Sequence, residues 1–237
     1  MPRYLTLRRR RRLYALAALM LLSGIGGAVL LGSRPAPLAT AVSGPPWLYG
    51  PHGARFTLVV YADFECPYCQ STIPHLMQWV KTTPDVTLQW HHLPLPAHEP
   101  AASREARLAE CHGEVGGATA FWNTVGWIYE HTRGNGQGTA ATDNPSGVTA
   151  AVQTCLDSER SAAIVRAQAD EAAAAGITAT PTLQLRDRDT GRTLTLEGAV
   201  DDDALLSALD WLSLAPEVTN AERGVPALPA DDVGKPR

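Results

Sequence analysis

Two cysteines held two residues apart, Cys66-Pro67-Tyr68-Cys69, are the part of this chain best suited to covalent chemistry. They follow a β-branched and aromatic run, Thr57-Leu58-Val59-Val60-Tyr61, which reads as a buried strand. Pro67 falls where the first turn of a helix would begin, and proline is tolerated there because the N–H it lacks would have no partner. Cys66 is therefore expected at or just before a helix N-terminus. Free N–H groups and the helix dipole favour a thiolate at that place and lower its pKa. Cys69 lies one turn deeper on the same side. Two sulfurs so arranged can alternate between dithiol and disulfide. Zinc is the competing chemistry for a CxxC, but it needs four ligands, usually with a second close-spaced pair. Cys111 with His112, and Cys155, form neither a second CxxC nor an HxxxH. Redox exchange is the better reading. Three imidazoles, His91, His92 and His98, also lie close together, but HH-x5-H has no recognised ligand geometry, and no metal is expected there.

The elements that must position these residues follow from periodicity and punctuation. Trp47 to Gly50 suits a short first strand, and Phe56 to Ala62 a central one. The helix that opens at Pro67 runs to about Lys81 with Ile73, Leu76, Met77 and Val80 at helical spacing, and Pro74 should kink it. Val86 to Leu93 alternates like a strand. The resulting β–α–β unit implies a parallel pair with a right-handed crossover. Helices are expected over Glu99 to Glu114, Ala118 to Glu130, Val148 to Leu156 and Glu159 to Ala175, with Gly176 ending the last. Phe121, Trp122, Trp127 and Ile128 read as the core of this helical block. Arg133 to Gly147 is rich in Gly, Thr and Asn without an apolar period, and reads as a mobile loop. Strands Thr182 to Leu185 and Thr193 to Leu196 follow, then a helix Asp201 to Leu214 with Asp201 as N-cap. The order is βαβ, a helical block, then ββα: a split α/β sheet carrying an all-helical insertion over about residues 99–175.

Composition bounds what else the chain can be. Its 237 residues carry 20 basic and 24 acidic side chains. Seven arginines (Arg3, Arg8 to Arg12, Arg34) fall in residues 1–34, which leaves 13 basic against 24 acidic residues in the remainder, a net of −11. A nucleic-acid-binding body is not expected from such a balance. The arginine block precedes Leu13 to Leu31, nineteen residues without a charge, long enough to span a bilayer. By the positive-inside rule the arginines stay in the cytoplasm and all that follows Ser33 crosses the membrane. The expectation is an uncleaved single-pass anchor over residues 1–33; a signal peptide cut at Ala39-Thr40-Ala41 is the alternative. Residues 34–46, with Pro35, Pro37, Gly44, Pro45 and Pro46, read as an extended linker to a domain over 47–214, and 215–237 as a disordered tail. The compartment is then the bacterial periplasm, where disulfides persist, and four cysteines suit it.

The combination of DFECPYC after a strand, a helical insertion, and GITATPT before a β-hairpin resembles the DsbA-like thiol–disulfide oxidoreductases of the thioredoxin fold. The likeness runs from about Pro46 to Leu214. It implies a cis peptide bond at Thr180–Pro181 beside the active-site sulfurs, where an extended substrate segment can pair with the backbone. It implies that Cys66 is the more exposed and acidic sulfur, that Cys69 is the buried resolving one, and that Pro67 and Tyr68 set the redox poise. The most oxidising members carry His at the Tyr68 position. Tyr supplies no positive charge, so the Cys66 pKa should lie above the approximate 3.5 of the strongest oxidant. Asp63 and Glu65 flank the site; one of them could relay a proton to Cys69, and the more ordinary reading is a solvated acid beside a helix N-terminus. The likeness further implies a structural disulfide between Cys111 and Cys155, worth roughly 3–4 kcal/mol in the loop-entropy account. His112 is expected at the surface, and the three clustered histidines in a structural role.

The function implied is a membrane-tethered dithiol oxidase for exported cysteine-containing proteins, reset by a membrane redox partner and using no cofactor beyond its own Cys66–Cys69 disulfide. A reductase or isomerase on the same site is one alternative. A non-enzymatic tethered chaperone or assembly module is another.

Overall fold

The computed structural model describes residues 45–214 except 141, 144 and 146. The expected anchor Leu13 to Leu31, most of the linker and the tail after Leu214 lie outside the described residues. Among the described residues no helix is long and apolar enough to cross a membrane.

The elements, in chain order, are β1 (Leu48–Tyr49), β2 (Phe56–Ala62), α1 (Pro67–Thr82), β3 (Val86–His92), a short 3-10 turn (Pro96–His98), α2 (Ala101–His131), α3 (Ala150–Leu156), α4 (Arg160–Ala174), β4 (Thr182–Asp187), β5 (Thr193–Glu197) and α5 (Asp202–Ser213). The strands form a five-stranded sheet of order β1-β3-β2-β4-β5. Strand β2 is its centre, parallel to β3 with Val60 opposite Trp90, and antiparallel to β4 with Val60 opposite Leu183. Six of its seven residues are buried, because helices cover both faces and leave no side for polar alternation. Leu58 and Val60 belong to the main core with Ile73 and Leu76 of α1 and Leu205 and Leu209 of α5. Val59 and Tyr61 face the other way and pack with Ala172 and Ile177 at the end of α4.

The helical block buries its aromatic face as the spacing predicts. Phe121 stacks on Trp47 with ring centroids 5.1 Å apart, and Trp90 meets Trp122 edge-on at 5.8 Å. Trp127 is the exception, half-exposed and stacked at 4.4 Å on His131. The two helices expected over Glu99 to Glu114 and Ala118 to Glu130 are the two halves of α2, parted at Gly117, whose φ of 74° only glycine adopts readily. At the end of α4, Gly176 (φ 76°) donates to Ala173 and Ile177 to Ala172, the double bond of a Schellman cap. Asp201 caps α5, accepting the Ala204 N–H at 2.8 Å. The helix α1 continues through Pro74, which is exposed, to Thr82, close to the expected end at Lys81.

Two expectations are corrected. His112 is buried, not at the surface, because α2 turns it inward beside Cys111, and burial lowers its pKa. The first part of the expected mobile loop is an ordered turn: Arg133 donates from its N–H and its Nε to the Gly138 carbonyl at 3.3 and 3.1 Å. Gly134, Asn135, Gly136 and Gly138 take φ between 54° and 78°, which lets a short chain curl round the arginine.

Candidate active site

Strand β2 delivers the chain to Asp63, and the turn Asp63–Cys66 closes with the Cys66 N–H donating to the Asp63 carbonyl at 3.2 Å. Cys66 is the N-cap of α1, in extended conformation, with Pro67 at the first helical position. Both sulfurs are free thiols and buried, Cys66 at 4% exposure and Cys69 at none, while Pro67 and Tyr68 are exposed above them. Strand β4 brings the other half of the site. Thr180–Pro181 is a cis peptide bond, and the Thr180 carbonyl accepts from Cys66 Sγ at 3.3 Å.

The two sulfurs are electrostatically unequal. The Cys66 pKa is lowered to about 5, first because the Cys69 thiol donates a hydrogen bond to its thiolate. Burial works against this, and Thr180 together with the N–H groups of Cys69 and Tyr68 works with it. The Thr180 hydroxyl is buried, and among the described residues no group is hydrogen-bonded to it. Cys69 is pushed well above the ordinary thiol range, by burial first and then by the neighbouring Cys66 thiolate. At neutral pH this is one thiolate and one thiol in contact.

Neither flanking acid is solvated; Asp63 and Glu65 are 1% and 0% exposed. Each is buried because later parts of the chain fold over the turn and offer donors, the segment after β3 to Asp63 and the turn after α2 to Glu65. Asp63 Oδ1 accepts the Glu65 N–H at 2.7 Å, and Oδ2 accepts the Leu95 N–H at 2.8 Å and meets His98 Nδ1 at 2.7 Å. Its pKa is raised by burial, with the two N–H groups and His98 pulling the other way. Glu65 accepts from the Thr132 hydroxyl and from the Gly138 N–H at 2.8 Å. Burial would raise its pKa, but hydrogen bonds from Glu105, Thr132 and the Gly138 N–H hold it below the ordinary value.

The three histidines separate. His91 meets the Gln168 carbonyl, His92 meets Glu110 at 2.9 Å, and His98 meets Asp63. Among the described residues no group of three or more His, Cys, Asp or Glu is placed to hold a metal. Cys111 and Cys155 form a disulfide that ties α2 to α3 across 44 residues. Sequence reasoning missed His98, Glu105 and Thr132 as neighbours of the site. Glu105 left a signal: it is the acid among Ala101, Ala102, Ala106 and Ala109, on the face that α2 buries.

The thioredoxin family pattern matches residues 43–210. DsbA2 of Pseudomonas aeruginosa superposes with a TM-score of 0.67 and 44% identity, over 73% of this chain and 96% of that one. The α-DsbA2 of Wolbachia pipientis superposes with a TM-score of 0.56 at 15% identity, over 70% of this chain and 86% of that one, a likeness of fold. Among curated proteins, the Na(+)/H(+) antiporter NhaA 3 of Salinispora tropica is 39% identical over 82 residues. That stretch is 35% of this chain and 12% of the antiporter. The chain belongs to the thioredoxin family, and within it to the DsbA-like thiol–disulfide oxidoreductases.

Proposed function

We propose that this protein is a periplasmic dithiol oxidase, held at the inner membrane by Leu13 to Leu31, that forms disulfides in exported cysteine-containing proteins. The observation that carries the reading is the inequality of the two sulfurs: a Cys66 thiolate stabilised at a helix N-terminus over a buried, protonated Cys69. In the oxidised enzyme a substrate thiolate attacks Cys66 Sγ. The Cys66–Cys69 bond breaks, its electron pair leaves on Cys69, and Cys69 takes a proton. The second substrate thiol, deprotonated, attacks its own sulfur in the mixed disulfide. Cys66 departs as a thiolate and the substrate carries the new disulfide. A low leaving-group pKa speeds that second step and stabilises the reduced enzyme, which makes the enzyme an oxidant. A membrane partner then accepts two electrons and restores the Cys66–Cys69 disulfide.

Thr180 and Pro181 are the substrate-positioning residues in this reading, with Pro67 and exposed Tyr68 at the entrance tuning the poise. Asp63 is the better placed acid to exchange the Cys69 proton, because its carboxyl contacts His98, whose side chain is 13% exposed and reaches solvent. Glu65 is turned instead towards Thr132 and Gly138. The segment shared with the antiporter is a small fraction of that protein, and no transport activity is proposed for this chain.

The test is the reduction potential of the Cys66–Cys69 couple in glutathione buffers, read by alkylation of Cys66. A value between about −120 and −180 mV supports the oxidase or an isomerase, and a value near −270 mV makes the protein a reductant. No exchange at any poise would leave the non-enzymatic module.

A further inference from the structure

Glu65 immediately precedes Cys66, and it is the anchor of the turn that follows α2. Its carbonyl accepts the Asn135 N–H at 2.7 Å, and its carboxylate accepts the Gly138 N–H and the Thr132 hydroxyl. The next residue, Thr139, donates its N–H to Glu105 Oε1 at 2.9 Å. Consecutive amides of one turn, Gly138 and Thr139, therefore hold two buried carboxyl groups. Glu105 is 1% exposed, and its Oε2 is buried with no donor directed at it. An oxygen in that position gives a proton rather than receiving one.

We propose that Glu105 is a positioning residue for Cys66: as a neutral carboxylic acid it shares one proton with the Glu65 carboxylate, and this acid pair latches the Thr132–Thr139 turn beside the active-site helix. The inference rests on Cys66 being the reactive thiolate. The turn abuts the site directly. A methyl group at Gly134 would come within 3.6 Å of the Glu65 carbonyl and 3.9 Å of the Pro67 ring, so the turn limits what can approach Cys66 from that side. Losing the shared proton would place two carboxylates in contact away from water, which is unfavourable. The turn is the part free to move, since beyond Thr132 only the Gly138 and Thr139 amides hold the two carboxyl groups.

The electrostatic surroundings agree. The Glu105 pKa is raised to about 8, by burial first and then by Glu65, with the Thr139 N–H and Arg104 opposing. Arg104 lies 4.0 Å from Glu105 Oε1 on the same helix, and Arg133 and Asp143 line the adjoining cavity. On the side of the sulfurs, the pKa of Tyr129 is raised by burial first and then by the charges of Cys69, Asp63, Cys66 and Glu105. The latch is accordingly closed at neutral pH and opens as pH rises past 8.

The experiment is the rate of Cys66 alkylation by iodoacetamide against pH, on the full chain reduced at the active site. The wild-type profile should rise with a midpoint near 5 as the thiolate forms. It should then rise again near pH 8, by roughly three- to tenfold, as the turn opens. Glu105→Gln keeps a neutral donor towards Glu65 and should retain the first rise and lose the second. Glu105→Ala leaves Glu65 without that donor and should react at the faster rate wherever the thiolate is formed. A second rise that persists in Glu105→Gln, or a wild-type profile flat above pH 7, overturns the proposal. Absence of the first rise would instead overturn the reading of Cys66, so the two failures are distinct. Amide shifts of Gly138 and Thr139 should titrate with the second rise in the wild type and stay still in Glu105→Gln.

Discussion

The two cysteine pairs of this chain have the same atoms and opposite surroundings. Cys111 and Cys155 lie in a small apolar cluster with Val152 and Leu156, joined as a disulfide between two helices of the insertion. Cys66 and Cys69 share one helical turn at the end of the central strand, where the Cys69 thiol, the Thr180 side chain and helical N–H groups favour the Cys66 thiolate. The first pair is tied up as a bond between two helices, and the polar group beside it, Glu114 Oε2 at 3.6 Å from Cys155 Sγ, is an acceptor that offers a thiolate nothing. The second is made reactive by inequality: the donors prevail at Cys66, while burial and the neighbouring thiolate prevail at Cys69. Reactivity here is a property of the donors around a sulfur, and of their inequality, more than of exposure: three of the four cysteines are at 1% or less, and the reactive one is at only 4%.

The largest effect should come from the reactive pair. Cys66→Ser is expected to reduce disulfide exchange with a reduced peptide to the uncatalysed background. Cys69→Ser should instead accumulate a mixed disulfide through Cys66, visible as a mass increase equal to the peptide. If both variants merely slow exchange equally, the sulfurs are not unequal and the comparison fails. Removing the other pair, Cys111→Ser with Cys155→Ser, should cost roughly 3–4 kcal/mol of unfolding free energy in denaturant titration. It should leave the Cys66 pKa unchanged. A shifted alkylation midpoint in that double variant would mean that the insertion tunes the site through its disulfide.

How much of this was legible in the sequence depended on how local each cause is. The turn Asp63–Cys66, Pro67 at the helix start and the apolar β2 run are local, and they give the sheet, α1 and the two sulfurs directly. The burial of Asp63 and Glu65 is not local. It depends on Leu95, His98, Thr132 and Gly138, which lie 32 to 73 residues away in the chain. An acid beside a helix N-terminus reads as solvated until those donors are placed over it. The turn after α2 misled for a related reason: glycine and asparagine without an apolar period look mobile, yet this segment is ordered by backbone amides binding buried carboxylates. His112 was misplaced because the break at Gly117 divides α2, and the face each half buries is set by packing against Trp47 and α3.

The same inequality should separate the two redox forms of the protein in how their stability responds to pH. The reduced, folded protein holds the Cys66 pKa near 5, against the ordinary thiol value of 9.0. A depressed pKa contributes stability that is complete above the unfolded value and is lost as pH falls through the folded one. The oxidised form has no thiol to titrate. The stability of the reduced form relative to the oxidised form should therefore rise from pH 5 towards pH 9, with a slope of at most about 1.4 kcal/mol per pH unit. Glu105 acts in the opposite sense, since its raised pKa removes stability between the ordinary carboxyl range and about 8, but it does so in both forms and cancels in the difference. Denaturant midpoints of both forms at pH 4, 6 and 8 measure this. A difference that is independent of pH would show that Cys66 is an ordinary thiol.

The smallest and most selective change is at Tyr68, which is 68% exposed and contributes its N–H, not its side chain, to the Cys66 thiolate. Tyr68→His places an imidazole at the helix start, where in its charged form it would lower the thiolate energy further. One unit of Cys66 pKa corresponds to about 1.4 kcal/mol, or about 30 mV for this two-electron couple. The variant is expected to move the alkylation midpoint down by about one unit and to make the potential more oxidising by about 30 mV or less. The two shifts should move together, because thiolate energy is the quantity they share. If the potential moves while the midpoint stays, Tyr68 acts on the oxidised form or on Cys69. The poise would then be set by both ends of the disulfide, and not by the donors around Cys66 alone.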